Sequence, residues 1–245
     1  KMQTKFRVVP RCYGSYDILE KKISVSEIEE ICVSTKTLSF EDYLECRKMN
    51  LIINIFYNDG VFDGIIKLLR ECKISIWDWI NKIYENSSRE DFSEFETLLV
   101  DFLNESEGEL WEDRNQLRTF CEDEKNIKKF IDGKLGSNLI FKYKSRSLTF
   151  DLINIAKIAK ISAEEIFKEN NVNEENIELF LENLINYKLC EVTNLFDVEI
   201  KKEGIFDFNI QYFLEYKKET HGAFNLNKFK FEKSTIIPFI LSDEQ

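Results

Sequence analysis

LSFEDYLECRKMNLIINIFYNDG, residues 38–60, spells a helix together with both of its ends. Ser39 is an N-cap residue whose hydroxyl can accept the backbone N–H of the third helical position, and Asp42 places negative charge at the positive helix start. Phe40, Tyr43, Leu44, Met49, Ile52, Ile53 and Phe56 recur at helical spacing. Asn58-Asp59-Gly60 then ends the run, because glycine enters the closing left-handed conformation without steric cost. A second helix follows over residues 62–72, with Ile65, Ile66, Leu68 and Leu69 on its apolar face. The capping pattern recurs: Ser75-Ile-Trp-Asp78 predicts a helix to about residue 84, and Ser88-Arg-Glu-Asp91 one to about residue 104. Phe92, Phe95, Leu98, Leu99 and Phe102 give the latter a continuous apolar stripe.

Outward from this helical block the periodicity changes. KFRVVP (residues 5–10) is a short β-type run, Cys12-Tyr-Gly-Ser-Tyr16 reads as a turn, and EIEEICVST (27–35) alternates as a second strand. Residues 101–125 hold nine acids against three bases, with Trp111, Leu117 and Phe120 as one apolar face, and read as a solvated acidic helix. Gly133-Lys-Leu-Gly136 marks an internal boundary. Beyond it the sequence predicts a strand at 139–143, then helices near 149–160, 163–170 and 174–187, with Ser162-Ala-Glu-Glu165 capping the middle one. At the end Phe206, Phe208, Ile210, Tyr212, Leu214 and Tyr216 alternate with polar residues, interrupted only by Phe213. His221-Gly222 would turn this strand toward a partner over 227–239.

These elements give an expected fold class of α+β, mainly α-helical. Residues 1–135 form a helical bundle with small strands, and 136–245 a winged-helix-like unit of three helices and a β-hairpin. Only 2 Pro and 8 Gly in 245 residues favour long regular elements, and 43% hydrophobic residues suffice for a proper core. The abundance of Phe, Lys, Ile, Asn and Glu has a compositional reading before a functional one.

The net charge of −11 disfavours nucleic acid and acidic lipid surfaces as partners, since both are bound through excess Lys and Arg. In a winged helix the third helix reads DNA, yet Glu174, Glu175, Glu178 and Glu182 stand on that helix here. The six cysteines, at 12, 32, 46, 72, 121 and 190, are too scattered for a zinc or cluster motif, and several fall on apolar faces as small hydrophobes. A reducing cytoplasm is the expected compartment, and no apolar run is long enough to span a bilayer.

No residue is nominated as catalytic, cofactor-binding or metal-binding. His221, the one histidine, would have to serve as base in any Ser-His-Asp site, and a hairpin turn explains Thr220-His-Gly222 better. Glu27, Glu29 and Glu30 cluster, as do Glu105, Glu107 and Glu109, and both groups read as solvated acidic faces. Neither Gly-rich phosphate motif, GxGxxG or GxxxxGK[ST], occurs.

Residues 6–62 nevertheless resemble the region that follows the catalytic barrel in radical SAM proteins with a cobalamin-binding domain. The resemblance rests on Phe6-Arg-Val-Val-Pro10, Tyr13-Gly14, Glu29-Glu-Ile-Cys-Val-Ser-Thr35, Leu38-Ser-Phe-Glu-Asp-Tyr43, Arg47 and Asn54-Ile-Phe-Tyr-Asn-Asp-Gly60. It covers about a quarter of the chain and includes neither the CxxxCxxC loop nor a cobalamin domain, so no family catalytic residue transfers here. It implies a non-catalytic C-terminal accessory region that closes the barrel or shapes substrate access. An iron–sulfur cluster, SAM and cobalamin are the cofactors that the resemblance implies for the parent, and the Lys1-Met2 start is expected to lie inside a longer polypeptide. The expected partner is the upstream catalytic domain of the same polypeptide, or another protein. The alternative is a free-standing helical interaction or regulatory module.

Overall fold

A computed structural model describes residues 2–172, 175–191, 201–217 and 224–240. They are mainly helical (59%), with ten α-helices and two antiparallel sheets of two strands each. In chain order they run β1 (Gln3–Ile18), β2 (Lys21–Ser34), α1 (Phe40–Ile53), α2 (Asp63–Glu71), α3 (Ile76–Asn86), α4 (Ser93–Gly108), α5 (Arg114–Glu122) and α6 (Glu124–Ile131). Then come α7 (Leu139–Thr149), α8 (Leu152–Glu169), α9 (Ile177–Glu191), β3 (Lys201–Phe208), α10 (Ile210–Glu215) and β4 (Lys230–Ile240). The chain divides into two compact units, residues 1–51 with 97–145 and residues 52–96 with 146–245. The mainly helical class with an antiparallel pair of strands at each end is as expected, whereas the two helices expected over 149–160 and 163–170 are one helix, α8, followed by α9, β3 and β4.

Helix α1 begins where its cap residues place it. Ser39 Oγ accepts the Asp42 N–H at 3.0 Å, and Asp42 Oδ2 accepts the Ser39 N–H at 2.8 Å, a reciprocal capping box with Asp in the place usually held by Glu. The backbone N–H of Ser39 also holds the Asp42 carboxyl below its ordinary value. The last turn widens into a π-helix over Asn54–Asn58, and Gly60 takes φ +69° beyond it. Ser75 caps α3 as expected, accepting from Asp78 at 3.3 Å.

In the first unit, β1 and β2 form one long ribbon. The sequence places a turn at residues 12–16, whereas the strand continues to Ile18 and the turn falls at Leu19-Glu20. What broke the pattern is a bulge. Residues 9–12 stand against Glu27 alone, Arg11 takes φ +67°, and Pro10 has no N–H to give to the ladder. Val8 joins Leu117, Cys121, Ile127 and Phe130 in a core between the ribbon and α5–α6, flanked by Phe6, Tyr13, Ile28, Trp111 and Phe120. Residues 101–125 are not the one acidic helix expected: α4 ends at Gly108, Trp111 pairs with Phe6 in extended backbone, and Leu117 and Phe120 belong to α5, though all three still pack on this core. Of the six cysteines only Cys121 is buried, so the expectation that several sit on apolar faces holds for one; Cys32 and Cys46 are exposed.

Residues 139–143 are helical rather than extended. Asn138 caps α7 through its side chain, accepting from Phe141 at 3.1 Å, and Leu139, Tyr143 and Ser147 are buried at helical spacing. An amide cap with a face spaced by four outweighs the β propensity of Leu-Ile-Phe.

In the second unit Phe56, Phe62, Trp79 and Phe95 pack edge-on and stacked, and the Trp79 indole donates to the Ala159 carbonyl at 3.1 Å. Ser88 does not open a helix: a 3-10 turn at Glu90–Phe92 comes first, and α4 starts at Ser93. The stripe Phe92, Phe95, Leu98, Leu99 and Phe102 is buried throughout, as its spacing predicts. The break expected between residues 160 and 163 is absent, and α8 runs unbroken. Ser162 is buried in its middle and accepts from Asn86 Nδ2 at 3.0 Å, because its small side chain lets α3 approach.

The strand expected over 206–216 ends at Phe208. Asn209 caps α10 by accepting from Tyr212 at 2.9 Å, and Phe213, the residue that interrupted the alternation, is fully buried with Ile210 at helical spacing. The Phe206–Phe208 end of β3 is covered from within the chain. Phe180 of α9 meets Phe208 edge-on at 4.9 Å, and Tyr187 meets Phe206 at 5.8 Å. The expected turn at His221-Gly222 and the first acid of the third helix, Glu174, lie outside the described residues.

Phe208→Ala should lower the unfolding free energy by about 3–5 kcal/mol in denaturant melts. Asp207→Ala, which removes a half-buried carboxylate that accepts from Ser234, should change it by less than about 0.5 kcal/mol. Ser39→Ala should cost about 1 kcal/mol, since it removes one half of the capping box.

Candidate functional site

Two places in the first unit combine chemistry with exposure. The first is an ion cluster. Arg7 projects from β1 between the two acidic groups that the sequence suggests are solvated faces, and it takes one member of each. Its Nε donates to Glu29 Oε1 at 2.6 Å and its Nη1 donates to Glu109. Arg47 of α1 stands 3.9 Å from the same Glu109 oxygen, donates to Ser106 Oγ at 3.1 Å and lies over the Phe102 ring. Glu109 is therefore not solvated as expected, and Glu29 is ion-paired while still partly in water. Glu105 is engaged as well, by Lys142 at 2.5 Å, while Glu27, Glu30 and Glu107 do face water.

Burial pushes the Glu109 carboxyl above its ordinary value, and Arg7 opposes that push without cancelling it. Chemically the cluster is a closed set of charges: each guanidinium meets carboxylate or hydroxyl oxygens, and the arrangement ties β1, β2, α1 and the end of α4 together. Sequence reading overlooked Arg7 because a single Arg within Phe-Arg-Val-Val looks like the polar face of a strand. Its one available signal was the alternation that put it on the side of Glu29.

The second place is the outer part of the β1–β2 ribbon. Tyr16 faces Ile23, Gly14 faces Val25 and Ile18 faces Lys21, and directly opposed residues share a face. One side therefore carries Tyr16, Ile18, Ile23 and Val25, all exposed, and the other carries Ser15, Asp17, Lys22 and Ser24. The Ser15 and Ser24 hydroxyls lie 2.9 Å apart across the polar side. At the tip, Leu19 and Glu20 both take positive φ, +48° and +64°. Tight hairpins normally fill such a turn with Asn-Gly, because other side chains are strained there. This ribbon instead holds a leucine at its apex with 92% of its surface exposed.

Among the described residues no group of three His, Cys, Asp or Glu side chains is placed to hold a metal ion, and no helix is long and apolar enough to cross a membrane. Comparison with protein-family models, with curated proteins and with solved structures finds no match to this chain.

Arg7→Leu should destabilise the protein by about 1–3 kcal/mol near neutral pH, because it strands the half-buried Glu109 carboxylate. Since Glu109 titrates above its unfolded value, its protonation favours the folded state in acid, and that contribution is lost as pH climbs through the raised pKa. Removing Arg7 raises the pKa further, so the difference between variant and parent should shrink as melts are repeated from pH 7 toward about pH 4.

Proposed function

We propose that this chain is a non-catalytic accessory region of a radical SAM, cobalamin-type protein, and that the outer β1–β2 ribbon is the arm by which it docks on the catalytic portion. The observation that carries the reading is the exposed apolar face of Tyr16, Ile18, Ile23 and Val25, continued at the apex by Leu19. A two-stranded ribbon is marginal in water on its own, and an amphipathic one has its stable place against an apolar surface. The strained Leu19-Glu20 turn supports the same reading, since a strained backbone bearing an exposed leucine is retained where that leucine has a task.

The choice of occupant comes from the sequence. The resemblance spans residues 6–62, which include the whole outer ribbon, so the surface and the family features lie in one segment. The residues of that resemblance serve architecture in this chain: Arg7 and Glu29 in the ion cluster, Ser39 and Asp42 in the cap, and Gly60 in the helix stop. Such a region would close the open side of the barrel or shape access to it.

The test has two steps. The reading frame upstream of Lys1 is determined first, and an in-frame CxxxCxxC loop supports the accessory reading, whereas a frame without one sinks it. The upstream portion is then expressed separately and mixed with this chain. The two should co-elute in gel filtration, and Ile23→Asp with Val25→Asp should abolish co-elution while leaving the melt of the isolated chain unchanged. Co-elution that survives both substitutions would remove the arm from the interface. Self-association of this chain through the same face would favour a free-standing interaction module.

A further inference from the structure

The second unit contains a cavity of about 540 Å³ between α2, α9 and α10. That is within the range of roughly 300–1,000 Å³ typical of small-molecule sites. Leu184 of α9 and Ile210 and Leu214 of α10 give it an apolar wall. Glycine lines it at position 64, where a Cβ would come within 2.8 Å of the Leu184 side chain, so any side chain there would close in on the space.

The polar side of the cavity runs against the charge of the molecule as a whole. In a chain of net charge −11, three cations converge here: Lys67 and Arg70 from one face of α2, and Lys188 from α9. Two carboxylates, Asp63 and Glu191, share the lining, and Glu191 is held by Lys188 at 2.6 Å. Glu71, outside the lining, adds a third carboxylate within electrostatic reach of Lys67, so a single added negative charge is tolerated better here than the two of a phosphate dianion.

Lys67 is the inner cation. Its ammonium lines the cavity, donates to the Leu214 carbonyl at 2.8 Å and to the Tyr216 carbonyl at 2.5 Å, and lies 5.3 Å from the centre of the Phe213 ring. Burial lowers its pKa, so an added anion would stabilise its charged form. Arg70 is exposed and guards the mouth.

We propose that this cavity binds an amphipathic monocarboxylate, its apolar body against Leu184, Ile210 and Leu214 and its carboxylate between Lys67 and Arg70. The inference is independent of the accessory reading, because it rests on the second unit and not on the ribbon.

The test is a calorimetric titration of the full chain with decanoate, alongside decyltrimethylammonium and inorganic phosphate. Decanoate should bind saturably at one site, and the other two should not. Arg70→Glu and Lys188→Glu alter residues at the surface end of the cavity and should leave the circular dichroism melt intact. Arg70→Glu should weaken decanoate binding by roughly tenfold or more, the scale of one charge-assisted contact. Binding of decyltrimethylammonium or phosphate as tight as that of decanoate, or decanoate binding unchanged in both folded variants, would overturn the proposal. So would the absence of saturable decanoate binding.

Discussion

A two-stranded antiparallel ribbon shares one row of hydrogen bonds and leaves its outer edges and both faces to other groups, so it holds in water only where a face is packed. Both ribbons of this chain answer to that constraint. Phe206 and Phe208 of β3 are fully buried against aromatic side chains of α9, and Phe213 of α10 adds a further edge-on contact to Phe180. The inner part of the β1–β2 ribbon is packed on α5 and α6 through Val8, and its outer edge gains a reciprocal backbone pair between Phe6 and Trp111 at 2.8 and 2.7 Å. Past the bulge at residues 9–12 the same strands carry an apolar side that faces water. Tyr13, just past the bulge, still packs on Phe130, and from Gly14 outward the ribbon changes from a core element to a presented one.

Buried charge follows a matching logic. Moving a carboxylate out of water is costly unless donors replace the solvent. Burial pushes the Glu165 carboxyl up, but hydrogen bonds from Asn86 and Arg89 more than offset it and leave it below its ordinary value. Glu109 is offset less completely by Arg7, so it remains raised and is the more sensitive of the two to loss of its partner. Lys67 meets carbonyl oxygens at the end of α10, a helix terminus whose unpaired acceptors suit a cation.

Residues 6–62 are rich in residues with local structural duties. Ser39 and Asp42 start a helix, Gly60 stops it, and Arg7, Glu29 and Arg47 join the first strands to α1 and α4. Caps and ion pairs of this kind build an architecture and perform no reaction. For that reason the functional reading rests on a surface and its occupant.

The amino-acid sequence by itself determined what acts within a few residues: the capping box at Ser39, the cap at Ser75, the stop at Gly60, and the buried stripe from Phe92 to Phe102. Capping and helical periodicity depend on neighbours three or four positions away, which one-dimensional reading can see. Tertiary structure decided what depends on remote partners. Ser162 became a seat for Asn86 instead of a cap, and Phe213 pulled residues after 208 into a helix by offering a ring to Phe180 and Phe229. Glu29 and Glu109 looked like members of two solvated acidic faces. They meet because the strand pairing and the turn at the end of α4 bring positions 80 residues apart onto one guanidinium. Whether a charge is solvated or shared depends on what the fold places beside it, and local sequence carries no record of that distance.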